Sequence, residues 1–136
     1  VQTCALPIWG KDDKYYLDHG FNGEKQSGGT IFADSQNIPF VSANTIFYGH
    51  NMKDGSMFGD LKKYRDPGFL KEHPNVEIFY QGQWITCPII LAKVTDETDG
   101  TPYQKGERKI LTLSTCYGTS KRMILQALIP VVGGMN

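Results

Sequence analysis

Cys116 closes an apolar, β-branched run, "ILTLSTC", and Arg122 stands six positions later, at the start of a second run, "RMILQALI". A thiol needs only a modest perturbation to become a useful thiolate, and a neighbouring imidazole or guanidinium favours the charged form. His50 follows the strand-like "NTIFYG" directly, so it and Cys116 occupy equivalent places at the ends of two predicted strands. If those ends lie side by side, the chemistry is acyl transfer: a thiolate attacks a carbonyl, an imidazole moves protons, and a guanidinium steadies the oxyanion. Against this stands the reading in which Cys116 is a small core hydrophobe, His50 a surface residue at a strand end and Arg122 a solubilising charge. Separation along the chain does not choose between them.

The remaining candidates are weaker. His73 lies in "KEHPN", where a histidine at a helix C-terminus is favoured by the dipole. His19 sits in a polar loop, and Cys87 is enclosed by apolar neighbours in "WITCPII". Cys4 belongs to the opening "VQTCALPI", which reads as a translated sequencing-adapter oligonucleotide joined in frame. The expected organisation is therefore a non-native segment at 1–8, one domain over 9–130 and a tail at 131–136, with upstream elements lost.

The elements that must carry these residues follow from pattern. "DDKYYLD" (12–18) predicts a short helix with acidic residues in its first turn, and "TIFAD" (30–34) and "NTIFYGH" (44–50) predict strands. Met57, Leu61 and Tyr64 have helical spacing, and Asp66 and Pro67 supply a cap and first-turn proline for another short helix that Pro74 ends. "NVEIFYQ" and "QWITCPIILAKV" flank "QGQ" as a hairpin, with Pro88 requiring an edge or a bulge. A polar stretch, "TDETDGTPYQKGER" (95–108), precedes the last two runs, which are apolar enough for strands buried on both faces. Five or six strands with few helices predict a mainly β domain, a small closed or nearly closed barrel.

Composition bounds the function. The 136 residues carry 14 Lys and Arg against 14 Asp and Glu, with no block of like charge, so no electrostatic footprint for nucleic acid stands out. Three scattered cysteines without a CxxC pair argue against a disulfide framework or structural zinc. Asp96, Glu97 and Asp99 read as a solvated loop rather than a calcium site. No apolar run approaches the length needed to cross a bilayer.

"NTIFYGHNMKDGSMFGDLKKY" and "ILTLSTC", followed by "KRMILQALI" and preceded by "YYLDHGFNGEKQSGGTIFAD", resemble class B sortases, the cysteine transpeptidases of Gram-positive cell surfaces. The likeness runs from about Gly10 to Ile129. It implies a sortase-type β-barrel with short helices, lacking its first strand, and no cofactor or metal. By the same resemblance His50, Cys116 and Arg122 fall on the catalytic triad, while Leu17 and Ser114 fall on the substrate groove. The implied reaction cleaves a sorting-motif peptide of a surface protein after threonine, through a thioacyl-enzyme, and passes the acyl group to an amine of a cell-wall precursor or peptidoglycan. A peptide-binding protein without turnover, or a hydrolase of the same peptides, are the alternatives. The implied location is the extracellular face of the cell membrane, with the native protein membrane-anchored by a segment absent from this chain. Two departures stand out. Class B sortases usually carry a long helix-bearing insertion where this chain has only residues 95–108, and the Cys116–Arg122 interval is shorter than is common in the family.

Overall fold

The structure, a computed structural model, describes residues 8–9, 31–33, 43–55 and 57–130. Among the described residues seven strands form one sheet: β1 (Ile8–Trp9), β2 (Phe32–Ala33), β3 (Asn44–Tyr48), β4 (Asn75–Tyr80), β5 (Gln83–Asp96), β6 (Ile110–Tyr117) and β7 (Lys121–Leu128), in the order β1-β2-β3-β6-β7-β5-β4. The five longer strands curl into a half-barrel, which meets the expectation of a mainly β, nearly closed architecture with short helices. The helix expected at 12–18 lies outside the described residues, as do residues 30 and 34 of the strand expected at 30–34, of which Phe32–Ala33 forms β2.

β6 is the organising strand. It pairs parallel with β3 and antiparallel with β7, and residues 111–115 are buried without interruption. As an interior strand of the sheet it is covered on both faces. Side chains alternate across it. Leu111 and Leu113 join Phe47 from β3 and Met123 and Leu125 from β7 in the hydrophobic core. Thr112, Ser114 and Cys116 take the opposite face, with Arg122, Ile124 and Gln126 beside them across the β7 ladder.

The predicted hairpin forms. Gln81 and Gly82 make its two-residue turn with φ of 50° and 81°, the pair of left-handed conformations that matches the right-handed twist of the flanking strands. Pro88 ends the pairing with β4, opposite Asn75, and the pairing with β7 begins at Ile89. A residue without an N–H thus stands where the strand changes partners, and the ladder is irregular between Ile89 and Leu91.

Residues 57–74 pack over the core. Gly59–Arg65 is a 3-10 helix that buries Leu61 and Tyr64. The short helix α1 (Pro67–Glu72) follows, capped by Asp66, whose carboxylate accepts from the Gly68 N–H at 2.9 Å. Gly49 and Gly59 are both places of close approach. A Cβ on Gly49 would lie 2.9 Å from the Phe58 ring, and one on Gly59 would lie 2.3 Å from the Met52 carbonyl oxygen.

Candidate active site

Cys116 is the last residue but one of β6, and Arg122 is the second residue of β7; the two are direct cross-strand partners. Directly opposed residues of an antiparallel pair share a face, with Cβ atoms about 5 Å apart. Cys116 is exposed and Arg122 half-buried, so the thiol stands at the rim and not in packed hydrocarbon. The turn between them, residues 118–120, contains Gly118 at φ 67°.

His50 reaches the same rim from the other side. The parallel register pairs Tyr48 with Ser114, and the Gly49 N–H donates to the Ser114 carbonyl at 3.2 Å. Extended two residues past the end of β3, that register would bring His50 level with Cys116. His50 is half-buried, and its carbonyl accepts from the Phe58 N–H at 2.8 Å, which starts the return of the chain toward the 3-10 helix.

The row continues on the far side. Arg122 pairs with Thr95 of β5, whose hydroxyl donates to Asp99 at 2.6 Å. Asp99 also accepts from the hydroxyl of Thr101 and from its N–H at 2.9 Å. The Thr101 hydroxyl, then the Thr95 hydroxyl and the Thr101 N–H, hold the Asp99 carboxyl down at about 2. Asp96 is lowered too, chiefly by the Thr98 N–H and hydroxyl. Both Asp99 oxygens and Asp96 Oδ1 are thus engaged within the 95–101 turn, while Asp96 Oδ2 lies 4.0 Å from the Lys121 ammonium.

Ser114 lies one row in from Cys116 on the same face and is completely buried, its hydroxyl 2.9 Å from the Tyr103 hydroxyl. Tyr103 belongs to a 3-10 turn, Thr101–Tyr103, that lies on this face of the sheet. Asn44 holds the turn there by donating to the carbonyls of Pro102 and Gln104 at 2.9 and 3.0 Å, and Gln126 donates to Pro102 at 2.9 Å. The Thr112 hydroxyl donates to Asn44 at 2.6 Å. The short 95–108 segment therefore covers the inner part of the face and leaves the rim with Cys116 open. Leu17 lies outside the described residues.

Other sequence candidates have structural settings. Cys87 is fully buried, and burial pushes its thiol up to about 11. His73 caps α1 at its C-terminus, with its ring 4.4 Å from the Phe69 ring. Two residues at the rim escaped the sequence reading. The Asn51 side-chain amide donates to the Cys116 carbonyl at 3.1 Å, and Lys62 donates to the Asn51 side-chain oxygen at 3.5 Å. Their one sequence signal is their place in the "GHNMKDGSMFGDLKK" stretch.

The chain and its fold have counterparts among known proteins. The Sortase domain model matches residues 4–129. Sortase B of Listeria monocytogenes (serovar 1/2a, strain EGD-e) is 40% identical over 149 aligned residues, 85% of this chain and 60% of the relative, so the chain spans less than two thirds of that protein. The solved structure of sortase B from Listeria monocytogenes aligns with a TM-score of 0.81 at 33% identity, covering 92% of this chain and 86% of that one. That of Clostridium perfringens sortase B aligns at 0.82 with 25% identity, covering 96% and 90%. A matched domain over nearly the whole chain, with sortase B proteins as its relatives in both sequence and fold, establishes that the chain belongs to the sortase family and sides with its class B members.

Proposed function

We propose that this chain carries a cysteine transpeptidase centre in which Cys116 is the nucleophile, His50 the proton carrier and Arg122 the oxyanion partner. The carrying observation is the cross-strand pair: an exposed thiol directly opposite a guanidinium. The Cys116 thiolate adds to the carbonyl of a threonine in a sorting-motif peptide, and Arg122 donates to the oxygen as charge builds on it. As the C–N bond breaks, His50 gives its proton to the departing amine, leaving a thioester on Cys116. An amine of the cell-wall precursor or peptidoglycan then attacks the thioester; His50 takes the proton, and the thiolate leaves. The natural setting of such a reaction is the extracellular face of the membrane. Among the described residues no helix is long and apolar enough to cross a bilayer.

A second reading, a peptide-binding protein that does not turn its ligand over, is favoured by the Tyr103–Ser114 contact, which occupies part of the implied groove. Labelling with a peptide vinyl sulfone carrying threonine at the reacting residue separates the two. Transpeptidase chemistry requires stoichiometric modification of Cys116, slowed about 100-fold or more in His50→Ala and in Arg122→Ala. Labelling that ignores both substitutions would refute it. Incorporation of an added amine into the product then distinguishes transfer from hydrolysis.

A further inference from the structure

The β3–β6 ladder stops just short of the rim. Its last backbone bond runs from the Gly49 N–H to the Ser114 carbonyl. In a parallel ladder the next donor on the same strand is two residues on, which would bring the Asn51 N–H to the Cys116 carbonyl. The chain instead turns away there: Asn51 forms an isolated antiparallel bridge with Met57. What reaches the Cys116 carbonyl is the side chain of Asn51, at 3.1 Å.

The orientation of that amide is set from behind. Lys62 approaches its oxygen at 3.5 Å, and a cation at the oxygen leaves the NH2 group facing the carbonyl. The same 3-10 helix grips the next residue as well, because Arg65 lies over the Tyr117 ring, 5.0 Å from its centroid, and donates to its hydroxyl. Residue 116 is thereby held from both sides, through its carbonyl and through its neighbour.

We propose that Asn51 is a positioning residue for the reacting pair. Its side-chain amide replaces the ladder bond the backbone cannot make and ties the Cys116 carbonyl to the residue that follows His50. Sulfur and imidazole are thus kept in one register while the chain departs toward the 3-10 helix. This inference rests on the reading of Cys116 and His50 given above. Asn51 acts through Cys116 and not on the substrate, so its loss slows the bond-forming step while leaving peptide binding nearly unchanged.

The test uses the full chain, the peptide vinyl sulfone as probe, and circular dichroism melts to establish that each variant is folded. Asn51→Ala and the isosteric Asn51→Asp are each expected to lower the maximal labelling rate about 10- to 100-fold, with the half-saturating probe concentration within about two-fold of wild type. Lys62→Met lowers the rate less, about two- to five-fold, and the Asn51→Ala/Lys62→Met double variant labels no more slowly than Asn51→Ala, because the two act as one unit. A folded Asn51→Ala that labels at the wild-type rate, or losses that multiply in the double variant, would overturn the proposal. If both Asn51 variants fail to fold, Lys62→Met decides, and a wild-type rate in it counts against Asn51. Wild type and His50→Ala labelling alike would remove the underlying reading and this inference with it; a His50-dependent wild type with an indifferent Asn51→Ala removes this inference alone.

Discussion

Thr115 and Cys116 are adjacent yet meet opposite surroundings. The alternation of β6 turns Thr115 into the core side, where it is 1% exposed, and turns Cys116 out to the rim. The Thr115 hydroxyl has no hydrogen-bond partner among the described residues. A buried hydroxyl left unpaired costs stability, so Thr115→Val is expected to raise unfolding free energy by about 1 kcal/mol. Denaturant unfolding checks this, and a loss of stability would show that the hydroxyl is bonded in solution. Of the two cysteines described, Cys87 is kept protonated by its burial and Cys116 alone is open to solvent. Spacing offered Cys116 and Arg122 as candidates without showing that they meet, and it is the β6–β7 hairpin that makes them cross-strand partners. Asn51 was not offered at all, because an asparagine in a polar turn carries no mark of the carbonyl it will meet.

At the level of elements, the 95–101 turn has a pH dependence of its own. Asp99 titrates at about 2, below its ordinary 3.8, because the Thr101 and Thr95 hydroxyls and the Thr101 N–H bond its charged form. A depressed carboxylate contributes stability that is fully present above about pH 4 and is lost as pH falls through about 2. The protection factor of the Thr101 amide, its exchange relative to the intrinsic rate at each pH, is expected to fall across that window, and Asp99→Asn is expected to abolish the fall. An unchanged profile in the variant would assign the effect to another group. The spacing of Leu61 and Tyr64 correctly marked a helical segment, but three-residue separation suits a 3-10 helix as well as an α-helix. Only contact with the sheet selects the tighter form, and Met57, expected on the same helix, lies before it at φ 55°. Ser114 shows the converse case. Family resemblance assigns it to a groove, while the Tyr103 turn laid over it is a consequence of the Asn44 and Gln126 side chains reaching across strands.

For the whole molecule, β4 is one of the two outer strands of the described sheet, and its hairpin with β5 presents Phe79 and Trp84 at 61% and 67% exposure, rings 5.2 Å apart. Formal net charge is zero at pH 7, so no long-range repulsion opposes contact between copies. An outer strand with exposed aromatics invites pairing. Self-association at neutral pH is therefore expected, with the double variant Phe79→Lys/Trp84→Lys shifted toward monomer in sedimentation velocity. Equal association in the variant would place the contact elsewhere.

What can be read along the chain is whatever depends on near neighbours. Strands β3 to β7, the Gln81–Gly82 turn, the Asp66 cap and the place of Cys116 at a strand end all follow from local periodicity, backbone conformational preference and hydrogen bonding within a few residues. Register between distant strands is different in kind. That β3 lies parallel to β6, so that Tyr48 meets Ser114 across more than sixty residues, is decided by how two faces of one strand are buried at once. Packing of that sort sums many weak contacts over the whole sheet, and no short stretch of residues contains the sum.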